Sequence, residues 1–399
     1  MNMNLKWSLI KFTLNYSRNM NPQKILHLST FHPTQCGIAS YTTDLMSNLH
    51  DISNLSGRLR YKFENYIPDF DYDIIIEEFS SYESFIKEIN NSDIDVISLQ
   101  HEFNIYGGTD GNYILSLLNQ VQKPIVTTLH TVNKYFNPNQ KKITEEIINK
   151  SSFTIVLTDQ SKKNLNFYYG ENPSIKVIHH GINNTKFIYP EDNEYRKQYS
   201  TDLLFVSAGH VRHSKGYHII LQALSKLKQN QIDFKFLILG SPQEQFSAGK
   251  AYLKDLKDQV TRLGLSENII WISEYLPAEI LHDYILSCDF GLVTYTESQH
   301  NSSGILPTIL GCGRPVIATK FEYAIQLSSK FGNGIYLTDI NDPGSLYETI
   351  KTLPFEGKAR KELMKACFEK SRDWLWKNIA EQYKEVFKEA QSISLSSIR

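Results

Sequence analysis

Ser302, Ser303 and Gly304 are the residues whose types and spacing first suggest chemistry in this chain. They lie between an apolar run, Phe290 to Tyr295, and a helical stretch that should end near Gly311 and Gly313. Two hydroxyls and a glycine at a helix mouth can cap it, and the free N–H groups of its first turn can hold an anion. An ordinary strand–helix–strand crossover would read the same way. His130 is a second candidate. The apolar run PIVTTLHT delivers it to the carboxyl end of a strand, where an imidazole can work near neutral pH or serve as a satisfied structural residue. Gly37 is a third. Within Cys36-Gly37-Ile38 it marks the turn from first strand to first helix. There it lets backbone approach a ligand or simply completes the turn, since no GxGxxG fingerprint surrounds it.

Other clusters point away from metal chemistry. Asp69, Asp71 and Asp73 alternate like a DxD motif but precede a strand, which favours loop carboxylates. His179 and His180 are adjacent, and on one strand their side chains would face opposite ways. The four cysteines are scattered without ligand spacing and read as reduced, buried thiols. The sequons at Asn183 and Asn301 have no role in a cytosolic chain.

The elements that must hold these residues follow from periodicity. A chain of 399 residues is too long for one ordinary core and suits two domains of about 150–200 residues each. Acidic and basic residues nearly cancel, 43 against 42, so no field favours nucleic acid as a partner. No apolar run reaches membrane-spanning length. Short apolar runs alternate with helical stretches: KILHLST, Tyr72 to Glu77, Val96 to Gln100, PIVTTLHT, Phe153 to Asp159 and Ser174 to Ile182. After a charged, aperiodic stretch from Tyr189 to Thr201 the alternation restarts with LLFVSAG and continues through FKFLILG, NIIWIS, FGLVTY, PVIAT and NGIYL. This pattern predicts α/β architecture with parallel sheets covered on both faces, and a ligand cleft between two domains. The tail from Lys358 to Ile393 reads as helix with an apolar stripe of Trp374, Trp376, Ile379, Tyr383 and Phe387. Residues 1–20 form an extension without acids, read as a disordered leader or the product of a start codon ahead of Met20. A short membrane-surface helix is the other reading.

Five places in order then resemble the retaining glycosyltransferases of family 4, which have the two-domain GT-B fold. They are CGIASYT, TLHT, HHGI, GHVRHSKG and SSGILPTILGCGRPVIAT; the tail SRDWLWKNIAEQY is similar to that family's closing helix. The resemblance implies two Rossmann-like, doubly wound domains: residues 21–190 for the acceptor and 200–370 for a nucleotide-sugar donor, with 371–399 crossing back onto the first. Lys215 matches the family lysine that neutralises the donor diphosphate, where two phosphates on a leaving nucleotide need a cation. His210 stands where most relatives carry arginine, and Arg212 is the nearest replacement. His300 and Thr308 stand in place of two glutamates directed at the sugar hydroxyls and the ribose. Glu297, three residues earlier, faces the sugar or solvent. Ser302, Ser303, Gly304 and Ile305 remain as phosphate or sugar donors. Gly37 matches the glycine that approaches the diphosphate from the other side, and His130 matches the histidine beside the transferred sugar. His101 and Glu102, in QHEF, become acceptor-binding candidates, and backbone around Ile272, Ser273 and Tyr275 would meet the base. The expected activity is retaining transfer of a hexose, with mannose from GDP-mannose the first candidate, onto a glycan or lipid-linked acceptor in bacterial surface polysaccharide synthesis. A non-catalytic nucleotide-sugar-binding subunit and a sugar-nucleotide epimerase of the same architecture are the alternatives. No metal or cofactor is expected. The expected location is the cytoplasm, with peripheral contact at the inner face of the membrane as an option.

Overall fold

The computed structural model describes residues 22–132, 134–242, 247–274 and 276–397; the extension over residues 1–20 and the base-contact candidate Tyr275 lie outside them. The first seven strands are β1 (Lys24–Ser29), β2 (Ser53–Arg60), β3 (Tyr72–Ile75), β4 (Val96–His101), β5 (Ile125–Leu129), β6 (Phe153–Val156) and β7 (Ile175–Val177). They form a parallel sheet ordered β3-β2-β1-β4-β5-β6-β7. The other six are β8 (Leu203–Ala208), β9 (Phe234–Leu239), β10 (Ile269–Ile272), β11 (Phe290–Val293), β12 (Val316–Thr319) and β13 (Ile335–Thr338). They form a second parallel sheet ordered β10-β9-β8-β11-β12-β13. Central strands such as β4, β8 and β11 are buried along their whole length, as a sheet with helices on both faces requires.

Helices on the first sheet are α1 (Gly37–Asn48), α2 (Phe79–Asn90), α3 (Ile114–Gln120), α4 (Pro138–Lys150) and α5 (Asp159–Tyr169). Those on the second are α6 (Tyr217–Gln229), α7 (Ser247–Arg262), α8 (Ala278–Leu286), α9 (Ile305–Gly311), α10 (Glu322–Phe331), α11 (Pro343–Lys351) and α12 (Gly357–Ser371). Local chemistry sets their starts. Asn137 and Gln140 close a capping box ahead of Pro138, and Asp342 accepts from the N–H groups of Gly344 and Ser345.

One strand lies outside the sequence pattern, and one expectation is corrected. β2 has no apolar run: within SNLSGRLR, Arg58 is fully buried, so the tertiary surroundings of the arginine outweigh its polarity. The tail is not one helix. It breaks at Arg372–Trp374 between α12 and α13 (Trp376–Ser397), because Trp374 and Leu375 pack into the second domain while Trp376 packs into the first. The chain makes its other crossing beside this break. Ile178 belongs to the first core and Ile182 to the second. Ile182 N donates to Trp374 O at 2.8 Å and Trp376 N to Ile182 O at 3.0 Å, so the two crossings are bonded to each other. A Cβ on Gly181 would fall 2.2 Å from the Trp376 indole, so only glycine lets the two crossings approach this closely.

A charge cluster braces the second domain. Asp289, wholly buried ahead of β11, accepts from Arg196 at 2.9 Å, from Arg360 at 2.8 Å and from the Leu204 N–H at 2.8 Å. It ties the incoming linker and α12 to the central strands.

Candidate active site

In each sheet the strand order reverses direction between two neighbours, β1 and β4 in the first and β8 and β11 in the second. The crevice beyond the carboxyl ends of such strands is where open α/β sheets take ligands. The loops leaving β8 and β11 are joined there. Gly216 has φ +68°, and a Cβ on it would lie 2.1 Å from the Thr294 carbonyl, so this turn needs glycine. Thr294 Oγ1 donates to Lys215 O at 3.0 Å, and Thr296 N donates to Ser214 O at 3.1 Å. Thus held, Lys215 donates from Nζ to the Tyr295 hydroxyl at 2.8 Å and lies 4.5 Å from that ring's centre. The same hydroxyl sits 3.1 Å from Ser303 Oγ, and the His300 ring lies over Tyr295 at 3.9 Å. Ser303 also caps α9 by accepting from Leu306 N at 3.3 Å.

The first domain supplies the opposite wall. His130 follows β5, with Nε2 2.8 Å from Gln100 Oε1 and its ring edge-on to Tyr41 at 4.8 Å. The β11 loop reaches across to it. Ser302 Oγ donates to the His130 carbonyl at 2.8 Å, and the Asn301 amide bonds both backbone groups of Val132. A Cβ on Gly304 would stand 3.1 Å from His180 Nε2, so the mouth of α9 lies against that imidazole. Cys36 Sγ caps α1 from Ala39 N at 3.4 Å, and nothing crowds the Gly37 Cα.

Burial divides the charges. It lowers His130 to about 3, with His180 and His101 adding to the effect, and lowers His180 to about 4 against the bond that its Nδ1 donates to the Gly181 carbonyl. His300 is lowered to about 3 by burial, then by Lys215 and Arg212. These rings are therefore neutral near pH 7 and cannot balance an anion. Burial would raise the Tyr295 phenol, but the charge and hydrogen bond of Lys215, with Ser303 and Arg212, together pull it below its ordinary value. Burial raises the Glu102 carboxyl, opposed by bonds from Thr131 and the Phe103 N–H and by Arg212 from the other domain. Lys215 and Arg212 bring basic side chains to this gap.

The remaining sequence candidates differ in exposure and surroundings. Arg212 is exposed, and His210 is half-buried with a backbone contact to Gln35 of the first domain. Glu297 is exposed. Thr308 Oγ1 returns to the Gly304 carbonyl at 2.8 Å, and Ile305 packs on the second core. Ile272 ends β10 and accepts from Gly240 N at 2.8 Å, with Ser273 exposed beside it. His101 is a correction: it is fully buried between Phe103 and Tyr106, and so offers no surface to an acceptor. Among the described residues no group of three or more His, Cys, Asp or Glu side chains is placed to hold a metal. Asp71 accepts from Ser56, and Asp73 pairs with Arg60 at 2.7 Å.

Residues 190–370 match the family model described as glycosyl transferases group 1. Anabaena HepE in complex with UDP and glucose superposes with a TM-score of 0.75 at 19% identity, over 92% of this chain and 100% of that one. Sucrose-phosphate synthase from Thermosynechococcus elongatus gives 0.75 at 15% identity, over 93% and 100%. A glycosyltransferase from Rickettsia africae gives 0.70 at 16% identity, over 93% and 99%. The fold is GT-B. No curated protein sequence matches the chain.

Two residues of this GT-B cleft escape a sequence reading. Tyr295 ends an apolar run and looks like core. His180 looks like the tail of a strand, yet β7 stops at Val177, and His180 turns to the mouth of α9 while His179 bonds the Leu157 carbonyl. An aromatic at the carboxyl end of a central strand was the available signal for Tyr295. Tyr295→Phe keeps the ring under His300 but frees Lys215, and should lower kcat about tenfold. Combined with Lys215→Ala it should cost no more than Lys215→Ala alone, which a double-mutant cycle on initial rates will show.

Proposed function

We propose that this protein is a retaining glycosyltransferase that moves a hexose from a nucleoside diphosphate sugar to a hydroxyl of a glycan or lipid-linked acceptor. The observation that carries the reading is the Lys215 ammonium, held by the Tyr295 hydroxyl rather than by a carboxylate, beside the hydroxyl-bearing mouth of α9. A cation without a carboxylate partner is available to an incoming anion, here the donor pyrophosphate, with Arg212 as the second cation. Gly37 would approach the same phosphates from the first domain. In the reaction the bond between the anomeric carbon and the phosphate oxygen breaks, and the acceptor oxygen bonds to that carbon on the same face. The acceptor proton passes to a phosphate oxygen of the departing nucleoside diphosphate. Neutral His130, its Nε2 engaged with Gln100 and its carbonyl with Ser302, would line the sugar without adding positive charge to the oxocarbenium-like transition state.

The family match over residues 190–370 and the UDP-containing neighbours support a nucleotide-sugar donor. Uridine nucleotides therefore join GDP-mannose in the test. A panel of nucleotide sugars is screened by thermal shift, since a ligand of the native state raises Tm. The stabilising donor is then incubated with enzyme, and anomeric NMR follows the product. Slow donor hydrolysis with retained anomeric configuration is expected; an inverted product would sink the retaining mechanism. The reading as a non-catalytic subunit is favoured by His300 and Thr308 in place of the two glutamates, and donor binding without nucleotide release would establish it. An epimerised sugar from UDP-GlcNAc without acceptor would point to the epimerase. Extension of bacterial surface polysaccharide from the cytoplasmic side is the role that fits this reaction. Among the described residues no helix is long and apolar enough to cross a membrane.

A further inference from the structure

We propose that Phe63 and Tyr66, with Tyr61, form a subsite that stacks a neutral saccharide ring of the acceptor; this rests on the transferase reading above. The loop joining β2 to β3 leaves Phe63 70% and Tyr66 63% exposed. Phe63 lies parallel to Tyr61, with centroids 5.4 Å apart and planes 8° apart. Isolated exposed apolar residues need no explanation, but a stacked pair on a braced loop does. Arg58, with no exposed surface, donates from Nη1 to Asn65 O at 3.1 Å and lies 5.3 Å from the Phe70 ring, which packs on Phe31 at 5.3 Å. Glu64 accepts from Thr34 Oγ1 at 2.7 Å and Tyr61 N at 2.9 Å, and its carbonyl accepts from Arg60 at 3.0 Å. Arg58 also pairs with Glu64 at 3.5 Å, so a hydrogen bond, an ion pair and a ring contact tie this loop to β2.

The residues that brace it are chain neighbours of cleft residues. Thr34 lies three residues before Gly37, and the neighbouring Gln35 meets His210 of the second domain. Tyr61 Oη donates to Asn104 O at 3.4 Å, two residues beyond Glu102. The flat C–H face of a pyranose matches an exposed aromatic ring, while its rim of hydroxyls needs acceptors. Asp69, Asp71, Glu77 and Glu78 surround the loop, and Lys62 is already paired with Glu78 at 2.8 Å. That charge repels an anionic membrane surface and leaves a neutral sugar as the fitting occupant.

Saturation-transfer NMR with maltotriose, cellotriose and mannotriose tests this without any donor. At least one trisaccharide should bind the wild type with transfer from aromatic protons. Phe63→Ala/Tyr66→Ala should weaken it about fivefold or more, while Tm and UDP affinity stay unchanged. Phe63→Leu should lose binding and Phe63→Trp keep it, since the ring and not its apolarity is required. No trisaccharide binding to the wild type overturns the proposal. So does equal binding by the double variant, or association with phosphatidylglycerol vesicles that the double substitution abolishes. Saccharide binding without any UDP binding would leave the subsite standing and remove the transferase reading.

Discussion

Lys215→Ala should lower kcat for sugar transfer by about 10²–10³-fold, the size of effect seen when one preorganised donor to a developing anion is removed. In the proposed reaction the leaving nucleoside diphosphate would gain charge as the glycosidic bond breaks, and an ammonium held beside it would need no reorganisation. Stability should barely change, because Tyr295 keeps its contact with Ser303, and Gly216, Thr294 and Thr296 hold the loop through backbone that alanine preserves. Lys215→Arg should restore only part of the rate, since a planar fork cannot reproduce a point charge over the Tyr295 face. Initial rates of nucleotide release, with a melting curve on the same sample, decide the matter. Wild-type turnover in the alanine variant would remove Lys215 from the diphosphate.

Asp289→Ala should be the most destabilising of the substitutions considered, at about 3 kcal/mol. The carboxylate is 1% exposed and serves two guanidinium groups that are 14% and 15% exposed, plus the Leu204 N–H. Removing it leaves two adjacent cations and an orphan backbone donor beside the central strands. The partial exposure of the arginines lets water relieve some of that cost, which sets the effect at the lower end for a broken buried pair. For a domain of this size Tm should fall by about 6–12 °C. Asp289→Asn, which keeps one acceptor, should lie between. A thermal melt of the three proteins measures this, and a loss within about 1 °C would show that Arg196 and Arg360 find other partners.

The fold was legible where burial dictates sequence. Strands such as β8 and β11 bury both faces, so their residues are almost all apolar. It was illegible where a strand carries polar residues whose partners lie far along the chain. Arg58 needs Glu64, Phe70 and Asn65 before burial makes sense, and nothing in SNLSGRLR announces them. The unbroken stripe from Trp374 to Phe387 concealed the break in the tail, because hydrophobic period does not reveal that neighbouring tryptophans enter different cores. Within the cleft, Ser303 and Lys215 could be picked out from their loops. Tyr295 offered only its place at a strand's carboxyl end, which does not tell that its hydroxyl will meet an ammonium. His101 shows the opposite failure: a polar motif residue that the sheet encloses.

The bonded crossings at Ile182 and Leu375 constrain how this molecule can move. Two tethers fastened side by side leave one body free to swing about the other but resist sliding. Travel then grows with distance from that pivot. His180, two residues from it, would remain against Gly304 through a swing that carries more distant loops apart.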